Sequence, residues 1–214
     1  MALIMYLTKA PRYQNIMTDE YETIPREDIV LIDKYFNWQR AKAEGKDSGN
    51  TLEEWCGIPE SKLAHKYIVN YYNDFYVEKT MYHEYMGEIE TYSIFDQLAR
   101  IVKANHIFNW FIKNVMNGVA NKDFYEITKE NLISLLNDCL KVESMFGNNN
   151  GKYVVNETVS KEYLPLMEEK GMFFGTDRYD HIYADQVIEV ANIIKNILET
   201  TDFEKETIYL NAIW

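Results

Sequence analysis

The two ends of the chain constrain its fold most. Ile4-Met5-Tyr6-Leu7-Thr8 is rich in Ile, Tyr and Leu and reads as a short strand stopped by Pro11. The tail Thr207-Ile-Tyr-Leu-Asn-Ala-Ile-Trp214 has strand composition too. An isolated strand has nowhere to send its backbone N–H and C=O groups. The economical arrangement therefore puts both segments in one sheet. Between them the apolar periodicity is mainly helical. The expected fold is a helix-dominated α+β single domain over 1–214, with a small sheet joining the two termini.

Several helices are predicted inside that frame. Ile24-Pro25-Arg26-Glu27-Asp28 has proline and acids where a first helical turn favours them, and the helix is expected to run to about Glu44. Gly45 to Asn50 is the clearest loop. Thr51 and Glu54 have capping-box spacing before a short helix that Gly57 and Pro59 end, and Glu60 to about Tyr76 is a further helix candidate. From Tyr67 to Tyr92 the chain carries Tyr67, Tyr71, Tyr72, Tyr76, Tyr82, Tyr85, Tyr92 and Phe75, and strand and helix patterns compete there.

Ser93 and Asp96 repeat the capping-box spacing, and the longest helix is predicted from there to about Met116, with Asn117-Gly118 as its stop. On it Ile94, Leu98, Ile101, Asn105, Phe108, Ile112 and Val115 form one apolar stripe. A helix from Thr128 to about Met145 would turn Leu132, Leu135, Leu136, Cys139 and Val142 inward. Gly147 to Gly151 reads as a turn or tip, Tyr153 to Val155 as a short strand, and Ile182 to Glu199 as the last helix.

Charge narrows the function classes. The chain has 22 Lys and Arg against 34 Asp and Glu, a net charge of -12. That field repels phosphate backbones, so direct nucleic-acid binding is disfavoured. It suits docking on a basic surface. The apolar Met1–Leu7 segment is too short for a secretory signal and has no basic residues before it. No stretch approaches the roughly 18 apolar residues of a membrane span. Cys56 and Cys139 form neither a CxxC pair nor a disulfide framework. A cytoplasmic protein without a membrane partner is expected.

Few residues suggest chemistry. His65, His83, His106 and His181 show no metal-ligand spacing, so neither a metal nor a cofactor is expected. Asn105 lies inside the apolar stripe, where a buried amide must find partners. It is a candidate for either a structural hydrogen bond or a ligand site. Lys103, His106 and Trp110 fall close together around the same helix and form a candidate surface binding face. Gly171 to Asp180 is the most distinctive stretch. Two glycines frame two phenylalanines, and Thr176, Asp177 and Tyr179 precede the last helix. Thr176 or Asp180 suits a helix cap. With Asn105, the residues Thr176, Asp177 and Tyr179 make a candidate ligand or partner site. The segment matches neither the P-loop nor GxGxxG.

One resemblance adds to this. Arg100-x-x-Lys103-Ala104-Asn105-x-Ile107-x-x-Trp110-Phe111, then Asn114-Val115-x-Asn117-Gly118-Val119, resembles the central signature of an uncharacterised family of small bacteriophage- and prophage-encoded proteins. Leu164-Pro165, Gly171-x-Phe173-Phe174-Gly175-Thr176-Asp177-x-Tyr179-Asp180, the ending Thr201-Asp202-Phe203 through Trp214 and the opening Met5-Tyr6-Leu7 are similar to it as well. Residues 12–90 depart from the pattern as a variable, helical and tyrosine-rich region, and 93–214 form the family-like core. The resemblance implies a phage or prophage origin and no catalytic residue.

The functional expectation is an accessory protein that binds a host or phage protein through an acidic, tyrosine-rich surface in the host cytoplasm. The alternative is a small-molecule or nucleotide-binding protein, or an enzyme, with a pocket between the 93–116 helix and the 171–180 segment. A structural or assembly role is a third reading.

Overall fold

The structure is a computed structural model. It describes residues 2–15, 20–23, 34, 38, 41–42, 45, 54, 77–83, 87–93, 96–150, 152–168 and 173–214. The chain divides into two compact units, Met1–Lys9 with Gln97–Trp214, and Ala10–Asp96. The whole of the region 12–90 singled out in the sequence falls in the second.

The first unit is built on a four-stranded sheet. Its strands are β1 (Ile4–Pro11), β6 (Asp96–Val102), β7 (Phe124–Ile127) and β10 (Glu206–Ile213), in the order β6-β1-β10-β7. The two terminal strands are thus neighbours at its centre, and the α+β architecture joins both ends of the chain. Met5 and Leu7 on β1 are buried between half-buried neighbours, the alternation of a strand with one face on the core. Ile208, Leu210 and Ala212 do the same on β10. Lys9 of β1 reaches Glu206 of β10 at 2.6 Å. Strands β10 and β7 are antiparallel, with Ile208 opposite Ile127.

Four helices complete the unit: α1 (Asn105–Asn114), α2 (Lys129–Glu143), α3 (Glu157–Tyr163) and α4 (His181–Thr200). Helix α2 begins where the sequence places it. Thr128 accepts from the Asn131 N–H while the Asn131 side chain accepts from the Thr128 N–H, so two end donors are satisfied reciprocally. Leu132, Leu135, Cys139 and Val142 are buried on its inner face, and α4 buries Tyr183, Val187, Val190, Ala191 and Ile194. A small hairpin, β8 (Gly147–Asn149) with β9 (Lys152–Val154), stands where a turn and a short strand are expected.

The predicted long helix over 93–116 is corrected. Residues 96–102 are strand β6, and α1 starts only at Asn105. Ala99 and Ile101 are buried with Arg100 exposed between them, a period of two. Leu98 and Ile101 satisfy a helical stripe as well, and so short an apolar run does not separate the two periods. The break itself is at Lys103, whose φ of 57° no helix accepts. The expected stop is sound, since Asn117 and Gly118 both have positive φ.

In the second unit, β2 (Tyr13–Asn15) pairs with β3 (Glu20–Glu22), and β4 (Val77–His83) with β5 (Gly87–Ser93), both antiparallel. The ambiguity between Tyr67 and Tyr92 is thus resolved as a hairpin over its second half. Ser93, expected to cap a helix, ends β5. Lys34, Trp38, Ala41, Lys42 and Glu54 are helical. The rest of the helices predicted over 24–44 and 51–57, the one over 60–76, and Cys56 lie outside the described residues.

Candidate functional site

Asn105 is the first residue of α1 and only 6 % exposed. Its side-chain N–H donates to the Thr176 carbonyl at 2.7 Å, and its oxygen accepts from the Met167 N–H at 3.3 Å. Both ends of the amide are used. The partners are separated in sequence from α1 and from each other, so Asn105 ties two loops to the core.

The segment 164–167 is held throughout in this way. The Tyr183 hydroxyl donates to the Leu164 carbonyl at 3.0 Å. Asn109 donates to the Pro165 carbonyl at 2.9 Å. The Leu166 N–H donates to the Tyr179 hydroxyl at 3.1 Å. Irregular backbone that packs on a core needs such partners.

On the other side, the 173–176 stretch is locked by backbone contacts. Leu3 N–H donates to the Phe173 carbonyl at 2.8 Å, and Gly175 bridges Ala104. Gly175 has φ +113°, and a Cβ there would meet the Lys103 carbonyl oxygen at 1.7 Å. Only glycine fits. The turn that follows leads to Asp180, which caps α4 by accepting from the Ile182 and Tyr183 N–H groups at 3.0 and 3.2 Å. The Thr176 hydroxyl lies 3.4 Å from both Asp180 carboxylate oxygens.

Between these walls runs a groove with a cavity of about 590 Å³. Glu157 and Lys161 of α3, then Leu166, Met167 and Glu168, form one side, and Asp177, Arg178, Tyr179 and Asp180 the other. Lys161 pairs with Glu157 at 2.9 Å and lies 5.6 Å from the Tyr179 ring centre. Asp177 is 3.6 Å from the Arg178 guanidinium, with both side chains largely exposed. Such exposed pairs contribute little and exchange readily for outside partners. The groove has an aromatic wall, an apolar strip and four carboxylates against two cations.

The site residues read from sequence separate accordingly. Asp177 and Tyr179 line the groove. Asn105 and Thr176 join its walls from behind, Asn105 to Met167 on one side and to Thr176, next to Asp177, on the other. The groove lies between 177–180 and the α3–168 stretch, whereas the expected pocket was against a 93–116 helix. Sequence reasoning passed over Glu157, Lys161 and Glu168. Asn156, whose side chain accepts from the Val159 N–H, was the available signal for α3.

The surface face of Lys103, His106 and Trp110 is corrected. Lys103 is exposed, but His106 and Trp110 are buried, at 0 % and 3 %. Helix α1 is covered on several sides. Trp110 donates to Asp138 of α2 at 2.8 Å, the His106 ring lies 4.4 Å from that of Tyr183 on α4, and Phe108 packs on Trp214. Exposure on α1 is confined to Lys113 and Asn114 at its end, so no outward face is left around His106 and Trp110. Burial pushes the His106 pKa down to about 3, and neither ring nitrogen has a hydrogen-bond partner among the described residues. Burial raises the Asp138 pKa, against the pull of the Trp110 hydrogen bond. Cys139 is a buried free thiol whose pKa burial raises.

Among the described residues no group of three or more His, Cys, Asp or Glu side chains is placed to hold a metal ion. No described helix is long and apolar enough to cross a membrane. No protein-family model, curated protein or solved structure matches this chain.

Proposed function

We propose that this chain is a phage- or prophage-encoded accessory protein of the host cytoplasm that works by binding a basic partner protein, with the groove between α3 and Tyr179 as part of the contact. The observation that carries this reading is the lining of the groove. Carboxylates outnumber cations there, four to two, beside the half-buried Tyr179 and an apolar strip, on a chain of net charge -12. A lysine or arginine side chain can lay its stem on Leu166 and Met167 and its charge between Tyr179, Glu168 and Asp177. Tyrosine adds contact area at low entropic cost. The existing Lys161 contact with the Tyr179 ring occupies the position that a partner's cation would share or take.

The volume favours a second reading, a small-molecule site. About 590 Å³ falls within the range of ligand cavities. Protein binding is preferred because six of the nine lining residues carry charge, whereas ligand cavities are lined predominantly by apolar and aromatic side chains.

The deciding experiment uses the charge-reversed pair Glu168→Lys and Asp177→Lys. Partners retained from phage-infected host cells by the parent chain are purified and their affinity measured against parent and variant. A basic partner should lose at least tenfold in affinity, with a parental melting temperature for the variant. Unchanged affinity, or a co-purifying small molecule lost from the variant instead, would sink the protein-binding reading.

A further inference from the structure

We infer that residues 10–96 are a module grafted into what would otherwise be a simple β1–β6 hairpin, so that Met1–Lys9 with Gln97–Trp214 keeps its fold independently of them. The inference does not rest on the proposed binding function. Strands β1 and β6 are neighbours in the sheet. The Lys103 N–H, just past the end of β6, donates at 2.9 Å to the Leu3 carbonyl, just before the start of β1. The end of one strand beside the start of the other makes the pair antiparallel. Counting six residues along each strand from that bond brings Lys9 opposite Gln97. These are the residues at which the compact units divide. The chain therefore leaves the first unit and re-enters it on adjacent strands, about 5 Å apart. A turn of two residues spans that gap in an ordinary hairpin. Closing a longer connection costs entropy only logarithmically, so such a point tolerates an insertion.

The core supports the same conclusion from a different direction. Among the described residues its continuous apolar cluster consists of Leu3, Met5 and Leu7 together with residues from Ala99 to Ala212. All belong to the first unit. Among the described residues, that unit also carries the walls of the groove and the bonds that shape it, including those of Asn105 and Tyr179. The second unit has ladders of its own, with Thr80 opposite Glu90 and Lys79 opposite Thr91 in the β4–β5 hairpin. Among the described residues, none between Ala10 and Asp96 belongs to that apolar cluster or lines that groove.

The test uses the full chain with Lys79→Pro and Thr80→Pro combined. Consecutive strand residues point their N–H groups to opposite sides, so one of the two prolines removes a ladder donor whatever the hairpin's phase. Hydrogen exchange is then followed amide by amide. The β4–β5 amides should exchange at least tenfold faster, while those of α2, α4 and β10 change less than twofold. Acceleration of both groups by the same factor would overturn the proposal. A second measurement cuts the full chain at a protease site engineered into Gly45–Asn50. The fragments should stay together and the first unit should melt within about 2 °C of the uncut chain, a shift smaller than ~1 kcal/mol causes in a domain of this size. Dissociation, or melting at a clearly lower temperature, would equally overturn it.

Discussion

Gly175 and Lys103 approach so closely that a Cβ on Gly175 would sit 1.7 Å from the Lys103 carbonyl oxygen. Both residues have positive φ, 113° and 57°. The pair fixes where β6 stops, where α1 begins and where the 173–176 stretch crosses them. Gly175→Ala should therefore destabilise the first unit by about 3 kcal/mol or more, since the clash is with backbone and the conformation is strained for any side chain. Urea unfolding would measure it, and a loss below about 1 kcal/mol would contradict the close approach.

Asn105 bridges Thr176 and Met167. Asn105→Ala would leave the Met167 N–H and the Thr176 carbonyl without their partner, at a cost of about 1–3 kcal/mol. Asn105→Asp should be no better, because a carboxylate oxygen would face the Thr176 carbonyl. Thermal unfolding of the two variants checks this; melting like the parent would remove the basis for the clamp.

The buried His106 makes stability depend on pH. Its folded pKa is depressed to about 3 from 6.5. As pH falls below about 6.5 the unfolded chain takes up a proton on this ring and the folded one does not, so stability is lost towards pH 3. Between pH 7 and pH 5 the loss from this group is about 2 kcal/mol. His106→Phe, filling the same space beside Tyr183, should show that much less loss over the same interval in denaturant titrations. Equal slopes for parent and variant would refute it.

Asp180, Tyr179 and Asp177 separate support from contact. Asp180→Ala removes both cap bonds of α4 and should cost about 1–2 kcal/mol. Tyr179→Phe deprives the Leu166 N–H of its acceptor and should cost about 1 kcal/mol. Asp177→Ala should stay within about 0.5 kcal/mol, since its pairing with Arg178 is exposed. Calorimetry on the three variants gives the order, and binding of a basic partner should fall for Asp177→Ala despite its unchanged stability. A destabilised Asp177→Ala would place that side chain among the supports.

How much was legible depended on whether the signal was local. The terminal strands showed their composition, and the alternation of Met5 and Leu7 with polar or half-buried neighbours is what the sheet uses. Helices α2 and α4 were legible from their apolar periodicity, and of the two residues that suited the cap of α4, Thr176 and Asp180, it is Asp180 that takes it. Asn105 was legible as a buried amide from Phe108 and Ile112 on its own helix, although Ile101, counted on the same stripe, belongs to β6. Strand β7, with only four residues, and α3, with seven, offered too short a period to read.

The amino-acid sequence by itself determined which segments carry apolar faces, where helices α2 and α4 run, and that two strand-forming ends must find partners. Only the tertiary structure decided that 96–102 pairs with β1 as a strand, since its apolar residues fit both periods and the open edge of β1 broke the tie. It alone buried His106 and Trp110, because α4 covers the one and α2 the other whatever the helix's own pattern. It alone made the groove, whose walls come from separate segments of the chain, 157–168 and 177–180. They meet because Asn105, Asn109, Tyr179 and Tyr183 bond backbone groups that no local pattern reveals.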